Sequence, residues 1–235
     1  MHCPLVIWSI RHGESRAQAP NLDRDERSRR DLPNWMYELS EEGAHQSRCA
    51  GEWMRERDLV PDAILTTDFR RGLQTADNLG FGDDVYREEH AMLAEQDFGL
   101  WYWNTEQEMR ERFPNEVRRR DAFRTKKKPS FQWTPLGGES GRLLEMRAWI
   151  LWADLCQRFA GQKVALVNHG TKGAILMKML LRISAANYER DYAKILHPEN
   201  ASIRIFHAPT DPSCRQLMTH DPKVDYVVPW MLGRQ

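Results

Sequence analysis

Long apolar runs, clustered cysteines and an excess of either charge are all missing from this sequence, and each absence closes a class of function. No apolar stretch approaches the ~18 residues that a membrane-spanning helix needs, and Met1 to Ile10 is too short for the apolar core of a secretory signal. A cytoplasmic protein with no membrane partner is therefore expected. Lys and Arg number 34, as do Asp and Glu, so the global balance offers no attraction to nucleic acid or to an anionic surface. The four cysteines (Cys3, Cys49, Cys156, Cys214) are scattered, with no C-x-x-C and no His at zinc-finger spacing. Neither a disulfide framework nor a metal site is suggested, and reduced thiols are expected. Internal repeats, low-complexity tracts and interdomain linkers are also lacking.

What is present reads as alternating strands and helices. The 235 residues suffice for one large α/β domain with a core of its own, and a single domain spanning 1–235 is the expectation. Leu5 to Ile10 and Val164 to Val167 are nearly continuous apolar runs, the pattern of strands buried on both faces of a parallel sheet, and Ala63-Ile64-Leu65 is a shorter example. Helical patterns cover 41–57, 71–78, 139–159 and 172–181. In the third, Leu143, Met146, Ile150 and Phe159 recur near the 3.6-residue period. Ser202–His207 and Arg215–Thr219 read as two late strands joined by the turn-rich segment 208–213. The expected fold is a three-layer α/β/α sandwich with a mostly parallel central sheet. Residues 16–33 read as a long loop beside the mouth of the first strand. The basic segment 110–128 reads either as a solvated helix followed by a loop or as a lid that attracts an anion.

The chemistry is carried by a repeated arrangement in which an apolar strand ends in His-Gly. It occurs at Arg11-His12-Gly13 and again at Asn168-His169-Gly170. Ligands of open parallel sheets bind at the carboxyl ends of strands. Glycine there lets backbone approach an anion, and a following helix N-terminus adds partial positive charge. One such His is ordinarily a structural residue; two at buried strand ends point to a site. Arg11 adjoins His12, and Arg71 opens a helix after the strand at 63–65. A guanidinium grips two phosphoryl oxygens at once, although either arginine alone would read as a surface residue. Glu95 lies in an apolar and aromatic stretch, a setting that raises a carboxyl pKa and suits a proton donor.

Arg11-His12-Gly13-Glu14-Ser15 resembles the signature of the histidine phosphatase superfamily, which includes cofactor-dependent phosphoglycerate mutases and many small-molecule phosphatases. Four further segments resemble the family's blocks in the same order: Leu39 to Gln46, Thr67 to Ala76, Leu93 to Trp101, and Val167 to Gly170. The resemblance implies a phosphoglycerate mutase-like fold and a phosphomonoesterase of the histidine acid phosphatase type. In it His12 attacks phosphorus and becomes a phosphohistidine. Arg11, Arg71 and a charged His169 neutralise the phosphoryl oxygens, and Glu95 protonates the leaving oxygen. No metal and no cofactor are implied. Ser15, Gln18 and Gly170 join Arg11, Arg71 and His169 as substrate-binding candidates, Gln18 standing where many relatives carry an Asn.

On the substrate side the chain departs from the mutases, which place cations near the acid to hold a second anionic group. Gln96, Phe98 and Glu106 stand at those positions, which favours hydrolysis of small-molecule phosphate esters over mutase transfer. Arg118-Arg119-Arg120 keeps the mutase alternative open, and a non-catalytic phosphate-ester-binding module is the third reading. Trp101-Tyr102-Trp103 reads either as core filling or as a wall that narrows the pocket around a flat or apolar leaving group. The oligomeric state is left open, a homodimer included.

Overall fold

The computed structural model describes residues 3–18, 32–123, 131–195, 198–211, 214 and 216–232, without the side chains of 191–195. Its centre is a six-stranded sheet ordered β3-β2-β4-β1-β5-β6. The strands are β1 (Val6–Arg11), β2 (Ala63–Thr66), β3 (Tyr86–Glu89), β4 (Lys163–Asn168), β5 (Ile203–His207) and β6 (Tyr226–Val227). β1 to β4 run parallel, whereas β5 and β6 are added antiparallel at one edge. The expected continuous apolar runs are the three central strands. β3 went unread because Tyr-Arg-Glu-Glu at an exposed edge has no apolar pattern to read.

Successive residues of the central strands feed opposite cores. Ile7, Leu65 and Leu166 pack on one side, and Trp8, Ile64 and Ala165 on the other. The first core is closed by α6 (Gly141–Arg158) and α7 (Gly170–Leu180), the second by α1 (Glu41–Arg55) and α2 (Arg70–Asn78). A sheet buried on both faces makes three layers, as expected.

Two expectations on detail are corrected. The inward stripe of α6 is Leu144, Ala148, Leu151 and Leu155, while Leu143, Met146 and Ile150 are 43–60% exposed. This helix is apolar on two faces, and the sheet takes the one with the better i, i+4, i+7, i+11 spacing. Of the stretch expected as a strand at 215–219, Arg215 lies outside the described residues and 216–219 take another course. The amides of Leu217 and Met218 donate to the Leu180 carbonyl at the end of α7, and only Thr219 bridges to His207. β6 is the sheet partner of β5 instead.

Between β3 and α6 lie α3 (Leu100–Trp103), α4 (Glu106–Arg112) and α5 (Pro114–Phe123). The described part of the basic segment therefore forms two helices, and its arginines are engaged within the protein. Arg120 is 3% exposed, donates to Glu106 and Asp121, and lies over the Trp101 ring. Arg119 donates to Glu116 and to the Thr134 carbonyl. Lys126 to Lys128 lie outside the described residues. Of the expected 16–33 loop, Arg16–Gln18 form a single 3-10 turn, and 19–31 lie outside the described residues. No helix among the described residues is long and apolar enough to cross a membrane.

Candidate active site

Sheet order alone brings the two histidines together. β1 and β4 are hydrogen-bonded neighbours with Arg11 opposite Asn168, and the His12 amide donates to the Asn168 carbonyl at 2.9 Å. His12 and His169 therefore leave the sheet side by side at its carboxyl edge, with ring centroids 5.0 Å apart. The loop after His12 is then clamped against the start of α1. A Cβ on Gly13 would come within 2.2 Å of the Gly43 carbonyl oxygen, and one on Gly43 within 2.0 Å of the Glu14 oxygen. Only glycine at both places lets the chains pass. Ser40 caps α1 through the Gly43 amide and donates to the Glu14 carboxylate, Gln46 accepts from the Glu14 amide, and Thr75 accepts from the Gly13 amide. The conspicuous polar residues of the second and third blocks thus hold the first one in shape.

The protonation states follow from the hydrogen bonds. Carbonyls only accept and guanidinium groups only donate. His12 Nδ1 lies 2.6 Å from the Gly13 carbonyl oxygen, so it carries the proton. Its Nε2 accepts from Arg71 Nε at 3.2 Å, so it carries the lone pair. His169 has the opposite tautomer, with Nδ1 accepting from Arg71 Nη2 at 3.2 Å and Nε2 donating to Thr67 Oγ1 at 3.2 Å. Burial, followed by the charge of Arg71, pushes both imidazoles well below the ordinary histidine pKa. The charge expected on His169 belongs to the state that holds a phosphoryl group; in the arrangement seen here burial first, and then the charge of Arg71, disfavour it.

Both arginines are brought to the two histidines or beside them. Arg71 is 4% exposed, lies against Phe69, and donates to the backbone and side-chain oxygens of Asn34 at 2.5 and 3.1 Å. Arg11 donates to the Pro198 carbonyl, and its buried Nε has no hydrogen-bond partner among the described residues. A buried donor left unpaired is costly unless a ligand completes it.

Glu95 joins the site through α7, the helix that begins directly after His169. Its carboxylate accepts from the amides of Thr171 at 3.2 Å and Lys172 at 3.1 Å, and from its own neighbour Gln96 at 2.9 Å. Glu95 thus has, besides the aromatic neighbours expected, a polar cradle at a helix N-terminus. Gly170 is the first residue of that helix. Ser15 and Gln18 are bonded to each other: the Gln18 side chain, on an exposed residue, accepts from the Ser15 amide and hydroxyl and closes its own turn.

Beside Glu95 opens a cleft of about 520 Å³, walled by Trp35, Phe69, Phe98, Tyr102 and Trp103. The aromatic triplet is split between its two readings. Trp101 packs on Trp133 beneath Arg120, while Tyr102 and Trp103 line the cleft. Glu106 does not line it, being bound to Arg110 and Arg120. Sequence reasoning missed Asn34, a single polar residue far along the chain with no pattern to mark it, and Lys172, hidden in an ordinary helical stretch.

Lys172 is fully buried with its Nζ unpartnered among the described residues. Burial, with Arg147 nearby, pushes its pKa from 10.5 down to about 7, against smaller opposing effects of Glu139 and Glu95. The unfolded chain holds this proton up to its ordinary pKa, whereas the folded chain holds it only below about 7. Folding is therefore penalised at and below neutral pH, and the penalty fades as pH rises through that window. Lys172→Met should stabilise the protein by roughly 2–5 kcal/mol near pH 7 and much less near pH 10. Denaturant midpoints at the two pH values check this, and an equal gain at both would refute it.

Comparison with known proteins shows the family. A curated 2,3-bisphosphoglycerate-dependent phosphoglycerate mutase from Parvibaculum lavamentivorans is 27% identical over 191 residues, covering 77% of this chain and 82% of that one. The structure of mycobacterial glucosyl-3-phosphoglycerate phosphatase superposes with a TM-score of 0.66 at 26% identity, over 92% of this chain and 97% of that one. The α-ribazole phosphatase of Shigella flexneri shares the fold, with a TM-score of 0.70 at 17% identity over 92% and 94% of the two chains. Residues 7–213 match the profile of the histidine phosphatase superfamily, branch 1, and the chain belongs to that family of phosphatases and phosphotransferases.

Proposed function

We propose that this protein hydrolyses small-molecule phosphate monoesters through a phosphohistidine on His12, without a metal ion. The observation that carries this reading is the state of His12: a buried, neutral imidazole whose Nδ1 proton is committed to Gly13, leaving Nε2 as a lone pair beside Arg71. A neutral nitrogen fixed in one tautomer is a ready nucleophile. In the first step Nε2 bonds to phosphorus as the ester P–O bond breaks, and Glu95 gives its proton to the departing alkoxide. In the second, water attacks phosphorus, Glu95 takes the water proton, and the N–P bond breaks to release phosphate and neutral His12. Arg71 and the unpartnered Arg11 Nε meet the charge that spreads over the phosphoryl oxygens. Among the described residues no group of three or more His, Cys, Asp or Glu side chains is arranged to hold a metal ion.

Hydrolysis is favoured over mutase transfer because two of the three arginines at 118–120 are paired with carboxylates within the protein, Arg119 with Glu116 and Arg120 with Glu106 and Asp121, while Arg118 donates to Asn115. With EDTA present, phosphate release from an alkyl phosphate should outpace isomerisation of 3-phosphoglycerate in the presence of 2,3-bisphosphoglycerate. Faster isomerisation would make the protein a mutase, and loss of release with EDTA that Mg²⁺ restores would end the metal-free mechanism.

The role of Glu95 separates from a structural one by leaving group. An alkoxide needs a proton as it departs and p-nitrophenolate does not, so Glu95→Gln should slow phosphoenzyme formation from an alkyl ester by ~10²- to 10⁴-fold and from the aryl ester far less. Burst kinetics isolate that step. Equal slowing of both esters would assign Glu95 to positioning.

A further inference from the structure

The cleft beside Glu95 is where a leaving alcohol must lie if the proposed reaction holds, and its walls restrict what that alcohol can be. Five aromatic rings line it, with Trp35 and Trp103 each 50% exposed. Tyr102 and Trp103 meet edge to face at 5.0 Å, a pair that offers apolar surface. Among the described residues the charged groups along the same wall are three carboxyls, Glu95, Asp97 and Glu139, and one guanidinium, Arg147.

That guanidinium has nothing left to give. Its Nε and Nη2 grip the Glu139 carboxylate at 2.8 and 2.7 Å, Nη1 donates to the Met92 and Ala94 carbonyls, and Nη2 donates also to the Glu95 carbonyl. Five donors meet five acceptors. Asp97, in contrast, accepts only from the Gly99 amide through one oxygen, and its charge has no cationic partner among the described residues. A second negative charge on the leaving alcohol would face the uncompensated Asp97 carboxylate and meet no free cation among the described lining residues, and an apolar ring would find a wall of its own kind.

We infer that the leaving-group cleft selects phosphate monoesters whose alcohol is aromatic or apolar and carries no second negative charge. The inference rests on the proposed phosphatase reading and narrows it to a substrate class. It separates this chain from enzymes acting on phosphorylated glycerates, whose leaving group bears a carboxylate.

Binding tests the cleft independently of turnover. 3-Phenylpropylphosphonate and 3-phosphonopropionate share a phosphonate head on an alkyl stem and differ at the far end, where one has a phenyl ring and the other a carboxylate. Calorimetry on the full chain should show the phenyl compound binding at least ~10-fold tighter. Trp103→Ala and Trp35→Ala should reduce that ratio by weakening the phenyl compound. Asp97→Asn, which keeps the acceptor for Gly99, should reduce it by strengthening the carboxylate compound, and added salt should do the same. Equal or tighter binding of the carboxylate compound to the wild-type chain overturns the inference and leaves the phosphatase reading standing. Binding of neither compound overturns both, because the shared phosphonate head is then not held.

Discussion

Arg71 lies between two imidazoles, donating to His12 Nε2 and to His169 Nδ1, and this one guanidinium fixes the electrical state of the whole centre. Its charge, added to burial, keeps both rings neutral. Its donors also decide which nitrogen of each ring holds the lone pair, and the Gly13 carbonyl and Thr67 hydroxyl complete the assignment from the far sides. The rest of the architecture serves that contact. β1 and β4 must be neighbours to bring the rings within 5.0 Å. β2 must lie beside β4 to put Thr67 and the start of α2 there.

A neutral pair has a chemical advantage over a charged one. A protonated His12 could not attack phosphorus, and a protonated His169 would add a third positive charge to a buried pocket before any phosphate arrives, at a desolvation cost that the fold would have to offset. A phosphoryl dianion supplies the missing counter-charge and favours protonation of His169 when it binds. Asn34 occupies Arg71 in the meantime, giving its donors oxygen partners. Lys172 is the unbalanced member: its buried amine weakens the fold directly behind the helix terminus that cradles Glu95.

Legibility in the sequence followed chemistry that leaves a pattern. Strands buried on both faces must be apolar throughout, so β1, β2 and β4 were readable, and with them the two His-Gly ends. β3 and β6 were not, because an exposed edge and a two-residue pairing impose no periodicity. On α6 the period was right and the face wrong, since Leu143, Met146 and Ile150 point outward while a second stripe meets the sheet. In the site, residues that form a linear block with a neighbour were found. Asn34, Lys172 and the exhausted donors of Arg147 depend on contacts between distant segments, and no linear spacing encodes those. The polar cradle of Glu95 was hidden for the same reason: it comes from amides 76 and 77 positions away.

The central claim is that one nitrogen of one residue carries the phosphoryl group. Nδ1 of His12 is committed to the Gly13 carbonyl, and Nε2 faces Arg71. Rapid quenching in alkali during turnover of a phosphate ester, followed by peptide mass spectrometry and ³¹P NMR, reads both the residue and the nitrogen. The account predicts phosphate on His12 alone, as the Nε2 isomer, and none in His12→Ala. Phosphate on another residue, on Nδ1, or on no residue while ester hydrolysis proceeds would contradict it.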